Sequence, residues 1–195
     1  HRQAHWGAVK EEEVKMAGLS AKYSGIEPVL RKTAQALEKF LLDNVPSPVH
    51  VDRVQVRHKA LERFVAKAGK KDRGEPKYEN PFSDIQDIVG ARVVVLYLHE
   101  VDVVSSHFSS LLSMIEQVDK EPEGFSEFGY VGWHGIVRLP EEVLPCAKPE
   151  DFPVFFELQI KTLFQHAWAE AEHDIAYKQF SGDLTPRDKR MIAYA

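Results

Sequence analysis

The chain has 195 residues, with 25 Lys and Arg against 30 Asp and Glu, a formal net charge of −5. That length suits one domain with a full core, or one domain with an added helix. The acidic balance argues against a surface that tracks a long nucleic-acid duplex, since such binders are usually basic.

With 44% apolar and 28% charged residues, the composition is that of an ordinary soluble globular protein. No apolar run reaches the roughly 20 residues needed to cross a bilayer. No N-terminal stretch joins a basic region to an apolar one, as a signal peptide would. Cys146 stands alone, so an internal disulfide is excluded. That fits a reducing compartment and points to the cytoplasm.

Taken in chain order, Val29, Leu30, Leu37, Phe40 and Leu41 recur at helical spacing and predict a helix over 24–44, inside an N-terminal helical segment of residues 1–48. Val45-Pro46-Ser47-Pro48 breaks it. Val49, Val51, Val54 and Val56 alternate, with one slip, and predict a strand over 49–57. A short helix over 59–68 ends at Gly69, and the polar stretch 70–81, with Gly74 and two prolines, reads as a mobile loop. The run Val93-Val94-Val95-Leu96-Tyr97-Leu98 predicts a buried central strand over 88–98. Val104, Phe108, Leu111, Leu112 and Ile115 predict a helix over 101–118. A loop over 121–128, a strand over 134–139 and a proline-rich excursion over 140–153 follow. A strand over 154–160 and a long helix over 162–180 come next, and another helix opens at Pro186. The expected main domain is 49–180, with 181–195 starting a C-terminal helix.

Between Arg53 and Lys77 stand Arg57, Lys59, Arg63, Lys67, Lys70, Lys71 and Arg73, opposed by Glu62, Asp72 and Glu75 alone. A basic segment on an acidic body suits a bound polyphosphate better than a duplex.

Four segments carry candidate chemistry. Asp87 precedes Gly90 and Arg92 where the central strand starts, so a carboxylate could hold a hard cation at the sheet edge. A solvated turn explains the same residues. In Phe155-Phe156-Glu157-Leu158-Gln159-Ile160-Lys161, burying Phe156, Leu158 and Ile160 puts Glu157, Gln159 and Lys161 on the opposite face. An ordinary polar sheet face explains that too. In Gly129-Tyr130-Val131-Gly132-Trp133-His134, Tyr130 could stack on a nucleobase or tuck onto the core. His166, Glu170 and His173, at i, i+4 and i+7, can share a helix face. A zinc site there is disfavoured, because the HExxH order is absent and no cysteine is near. Phe164, Ala167, Trp168 and Ala171 form the expected apolar stripe of that helix.

In this order, the four segments resemble the synthetase domain of the RelA/SpoT family of alarmone synthetases. The resemblance rests on Asp87-Ile88-Val89-Gly90-Ala91-Arg92, on Gly129-Tyr130 with His134, on Glu157-Leu158-Gln159-Ile160-Lys161-Thr162, and on Trp168-Ala169 with Glu172-His173 and Tyr177-Lys178. It covers roughly residues 49–178 and implies an α+β fold, a nucleotidyltransferase-like mixed β-sheet flanked by helices. It implies transfer of pyrophosphate from ATP to the 3′-hydroxyl of GDP or GTP, with Asp87 and Glu157 binding Mg²⁺ and carrying catalysis. Arg57, Lys59, Arg63, Lys67 and Arg92 would grip ATP. Tyr130, His134, Gln159 and Lys161 would hold the acceptor.

The loop before Tyr130 departs from the family pattern. Glu127-Phe128 stand where Lys and Asn are common, Gly132 stands where Ser is often found, and Trp133 replaces a smaller residue. A toxin-type relative acting on adenosine nucleotides or the tRNA 3′ end, paired with a neutralising antitoxin, is therefore the first alternative. An inactive nucleotide-binding regulatory module is the second. The resemblance also implies a synthetase-only form or an excised domain. Homo-oligomers are expected of small relatives.

Overall fold

The computed structural model describes residues 2–118 and 132–178, with side chains for 13–117 and 132–170. Chain order is α1 (Arg2–Asp43), β1 (Val51–His58), α2 (Leu61–Ala68), a hairpin of β2 (Lys71–Asp72) and β3 (Glu75–Pro76), and α3 (Pro81–Asp84). Then come β4 (Val89–Val95), α4 (Leu98–Leu111), β5 (Met114–Val118), β6 (Trp133–Arg138), a 3₁₀ turn at Glu141–Val143, β7 (Phe155–Thr162) and α5 (Leu163–Lys178).

Five strands form one mixed sheet in the order β1-β4-β7-β6-β5. β4 and β7 run parallel at its centre, and the other neighbours are antiparallel. With helices flanking the sheet, this is the expected α+β architecture. One face is built for burial: Val89, Ala91, Val93 and Val95 of β4 alternate with outward residues, as do Phe156, Leu158 and Ile160 of β7. Tyr23, Leu30, Leu37 and Leu41 of α1 and Val104 and Phe108 of α4 join the same cluster. The Tyr23 ring stacks on Phe64 of α2 at 4.4 Å between centroids, and Phe64 meets Phe82 at 4.9 Å. Burying three such rings contributes several kcal/mol at roughly 25 cal/mol per Å² of apolar area.

Several elements differ from the expected ones. α1 reaches back to Arg2 rather than starting at residue 24. Trp6, Val9, Met16, Leu19 and Tyr23 already carry three-to-four-residue apolar spacing, interrupted at Glu13, so the helical signal extends well before residue 24. The slip in the β1 alternation is a β-bulge: Val51 pairs with Val95 and Arg53 with Val94, leaving Asp52 as the extra residue. Residues 70–77 form the β2–β3 hairpin. Its turn places Arg73 at φ 51° and Gly74 at φ 92°, the left-handed pair that a two-residue hairpin requires.

The helix expected to run on to residue 118 stops at Leu111, where Leu112 turns extended, and Met114–Val118 becomes edge strand β5. Ile115 kept helical spacing with Leu111 and Leu112 by coincidence, and it is half exposed. Leu98 belongs to α4, so the central strand ends at Val95.

α5 opens on a reciprocal cap. The Thr162 backbone amide donates to Gln165 Oε1 at 2.7 Å, and the Gln165 amide donates to Thr162 Oγ1 at 3.1 Å. The apolar stripe expected on α5 is not the buried one: Phe164 is 79% exposed and Ala167 is exposed, while Gln165 is buried. The cap turns Gln165 inward and thereby turns Phe164 out. Ala171 lies outside the described side chains, and residues 181–195 outside the described residues.

Candidate active site

Sheet register lays out the site. Across one row, Arg57 of β1 pairs with Gly90 of β4, and Gly90 pairs with Glu157 of β7. The next row of the same face reads Gln55, Arg92, Gln159 and His134. This face is opposite the core, because alternate strand residues point to opposite sides. Further along β4 and β7 it is closed: Val94 is fully buried and Lys161 is 8% exposed, where α5 crosses. The opening of the sheet is thus confined to the two polar rows. Gly90 leaves a gap between Arg57 and Glu157, since a Cβ built there meets nothing within 4 Å. The result is a cleft of about 360 Å³ whose walls include Arg57, Lys59, Asp87, Arg92, Glu157 and Gln159.

Asp87 lies in the turn that leads into β4. Lys59 Nζ donates to its Oδ2 at 2.8 Å and Lys67 Nζ to its Oδ1 at 2.9 Å. Burial pushes this carboxyl up, but the hydrogen bonds and charges of the two lysines outweigh it and hold it below the usual carboxylate range. Lys59 is itself fixed through its backbone: its amide donates to Ile88 O at 2.8 Å, and its carbonyl accepts the Tyr23 hydroxyl of α1.

Glu157 stands across the Gly90 gap. A hydrogen bond from His134, whose Nδ1 is 3.5 Å from Oε1, lowers its pKa; burial raises it and Gln159 lowers it again, for a net fall. Both carboxylates are therefore ionised at neutral pH. The Oε1 of Gln159 is buried with no protein partner.

Arg92 is tethered from outside the sheet. It lies 3.1 Å from His166 Nδ1 and 3.0 Å from Glu170 Oε1, both on α5. Burial and the Arg92 charge push the His166 imidazole down, which keeps it neutral and able to accept. So His166 and Glu170, weighed in sequence as metal ligands, converge on a guanidinium. The side chain of His173 lies outside the described set.

The structure brings Asp87, Glu157, Arg57, Lys59, Arg92 and Gln159 to one cleft. Lys67 and His134 touch its two carboxylates. Arg63 is exposed on α2 and is not part of the cleft lining. Lys161 is buried, with its stem against Gly132, where a Cβ would fall 2.3 Å from Lys161 Cγ. Tyr130 lies outside the described residues. Sequence reasoning passed over Gln55 and Glu38, which also line the cleft. Gln55 was legible as the residue two before Arg57 on the same strand face; Glu38, on a helix far back in the chain, carried no local signal.

The sequence profile described as "Region found in RelA / SpoT proteins" matches residues 56–181. The chain belongs to this family. It is 26% identical over 190 residues to the GTP pyrophosphokinase YjbM of Bacillus subtilis (strain 168), covering 96% of this chain and 76% of that protein. The small alarmone synthetase 1 of Bacillus subtilis has the same fold, with a TM-score of 0.67 at 24% identity over 89% of this chain and 87% of that one. A GTP pyrophosphokinase family protein from Streptococcus pneumoniae superimposes with a TM-score of 0.56 at 25% identity, over 97% and 86% of the two chains.

Proposed function

We propose that this chain is a Mg²⁺-dependent pyrophosphokinase that moves the terminal pyrophosphate of ATP to the 3′-hydroxyl of GDP or GTP, giving (p)ppGpp and AMP. The observation that carries it is the pair of ionised carboxylates, Asp87 and Glu157, facing each other across a cleft walled by Arg57, Lys59 and Arg92. A related Bacillus subtilis synthetase has been solved bound to its product pppGpp, and the same protein bound to AMPCPP. Those likenesses support a nucleotide donor and a guanosine acceptor for the reading.

The acceptor O3′ attacks the β-phosphorus, the bond from that phosphorus to the bridging α,β-oxygen breaks, and AMP leaves with the oxygen. The 3′-hydroxyl proton passes to a carboxylate and on to solvent. The donor set fits the metal, because Mg²⁺ is usually held by one or two carboxylates together with substrate phosphates. Asp87 and Glu157 would hold it. The metal held by these two carboxylates would supply positive charge to offset the charge that develops in transfer. Lys59 and Lys67 keep Asp87 ionised and stand ready for phosphate oxygens. Arg57 and Arg92, diagonal neighbours on β1 and β4, offer planar guanidinium faces on which adenine can stack.

Incubating the protein with γ-labelled ATP, Mg²⁺ and, in turn, GDP, GTP, AMP, ADP and tRNA tests this. Label on GDP or GTP with release of AMP is expected. Label on an adenosine nucleotide or tRNA instead would replace the acceptor and make the chain toxin-type. No label from folded protein on any acceptor would overturn the enzyme reading.

A further inference from the structure

Glu38 of α1 lines the cleft beside Gln55, Arg57 and Arg92. Its Oε2 accepts the backbone amide of Val56 at 2.8 Å, which fixes a carboxylate at the outer edge of β1. Among the described residues it forms no ion pair, although three cations share its cleft. A carboxylate facing a polyanionic ligand opposes binding unless the ligand brings a donor to it. The cleft has two ends. Lys59, Lys67 and Asp87 mark the phosphate end. Gln55 and Val56 lie three to four residues back along β1, about 10–13 Å at roughly 3.3 Å per residue. That is the span from a terminal phosphate to a base.

We propose that Glu38 reads the edge of the donor base, its second carboxylate oxygen accepting the exocyclic 6-amino group of adenine, and so selects ATP over 6-oxo purine triphosphates as donor. This rests on the donor reading above. Stacking between Arg57 and Arg92 holds the faces of a base and carries little discrimination, since every base has a π-face. Discrimination has to come from an edge contact. Adenine presents a donor at position 6, whereas guanine and hypoxanthine present an oxygen that a carboxylate repels.

The test compares three nucleotides on the wild-type protein with Mg²⁺: ATP, ITP and purine riboside 5′-triphosphate, which lacks any group at position 6. Dissociation constants come from calorimetry, so turnover is not needed. One lost charge-assisted hydrogen bond predicts binding weaker by on the order of 10-fold for the riboside triphosphate, and weaker still for ITP. In Glu38→Gln the side-chain oxygen still accepts from Val56, and an NH₂ replaces the free oxygen. The ITP-to-ATP ratio of dissociation constants is then expected to shrink by on the order of 10-fold. A purely structural Glu38 would change melting temperature or overall affinity and leave that ratio alone. Equal binding of the three nucleotides by the wild type, or an unchanged ratio in folded Glu38→Gln, overturns the proposal. If ATP binds selectively but no acceptor gains label, the base-edge contact stands and the transfer reading falls. If ATP does not bind, both fall.

Discussion

Lys67, in the last turn of α2, reaches across to Asp87 at the head of β4 and donates to its Oδ1 at 2.9 Å. Lys59 takes the other oxygen, so one carboxylate bridges two cations that would otherwise face each other. Replacing Asp87 by Asn leaves both lysines without their counter-charge and removes a proposed metal ligand. Transfer should fall by on the order of 10²–10³-fold, and Glu157→Gln should do the same. Steady-state assays beside circular dichroism check this. Full activity in either folded variant would sink the metal assignment.

Tyr23→Phe removes a hydroxyl from a buried ring without changing its packing. Burial, with the Glu27 and Asp87 carboxylates, pushes this phenol up, so it stays a protonated donor to the Lys59 carbonyl. Its loss should cost about 1 kcal/mol in urea unfolding. Because Lys59 loses an anchor, KM for ATP should rise several-fold while the KM for the acceptor stays put. A stability loss with unchanged KM would limit Tyr23 to a packing role.

Two glycines should respond oppositely. At Gly90 a side chain meets open cleft, and its φ is not left-handed, so Gly90→Val should fold with stability changed by no more than ~0.5 kcal/mol. The branched side chain would sit between Arg57 and Glu157, raising KM for ATP by on the order of 10-fold or more. At Gly132 a Cβ would lie 2.6 Å from the Ile160 carbonyl oxygen, which belongs to a central strand and cannot retreat. Gly132→Ala should lower stability by about 1–3 kcal/mol. Thermal melts of the two variants compare them directly.

Much of this was readable beforehand because the sheet writes its faces into the sequence. Phe156, Leu158 and Ile160 alternate with Glu157, Gln159 and Lys161, and the structure keeps that division. The exposed end of β4 was legible in Gly90 and Arg92, where the apolar run is interrupted. What was illegible depends on contacts across long stretches of chain. Nothing near Arg92 announces that His166 and Glu170 will hold it. Nothing in α1 marks Tyr23 or Glu38 as neighbours of the cleft. The β5 strand was misread because three apolar residues happened to satisfy the helical period where the chain had already turned at Leu112.

Glu100 gives a pH signature away from the cleft. It accepts the His50 amide at 2.8 Å and the Tyr97 amide at 3.1 Å, and lies 2.7 Å from His50 Nδ1. Burial raises its pKa, but these partners outweigh burial and bring it from 4.5 down to about 2. A carboxyl depressed on folding adds stability above its unfolded value and loses it as pH falls through the folded one. Glu100→Gln should therefore be less stable than wild type at neutral pH. The gap should close as pH is lowered from about 4.5 towards 2. Urea unfolding across that window decides it, and a gap independent of pH would mean that the charge of Glu100 contributes nothing.

The hydroxyl of Tyr23 on the Lys59 carbonyl has a consequence for where the working unit of this family begins. The family region starts at residue 56, within β1, and therefore leaves out the helix that seats Lys59, supplies Glu38 and fills the core with Leu30, Leu37 and Leu41. By that measure α1 behaves as a splint: it contributes neither of the proposed metal ligands, yet a chain trimmed to the recognisable region would keep both acids and lose the brace that holds a lysine against one of them.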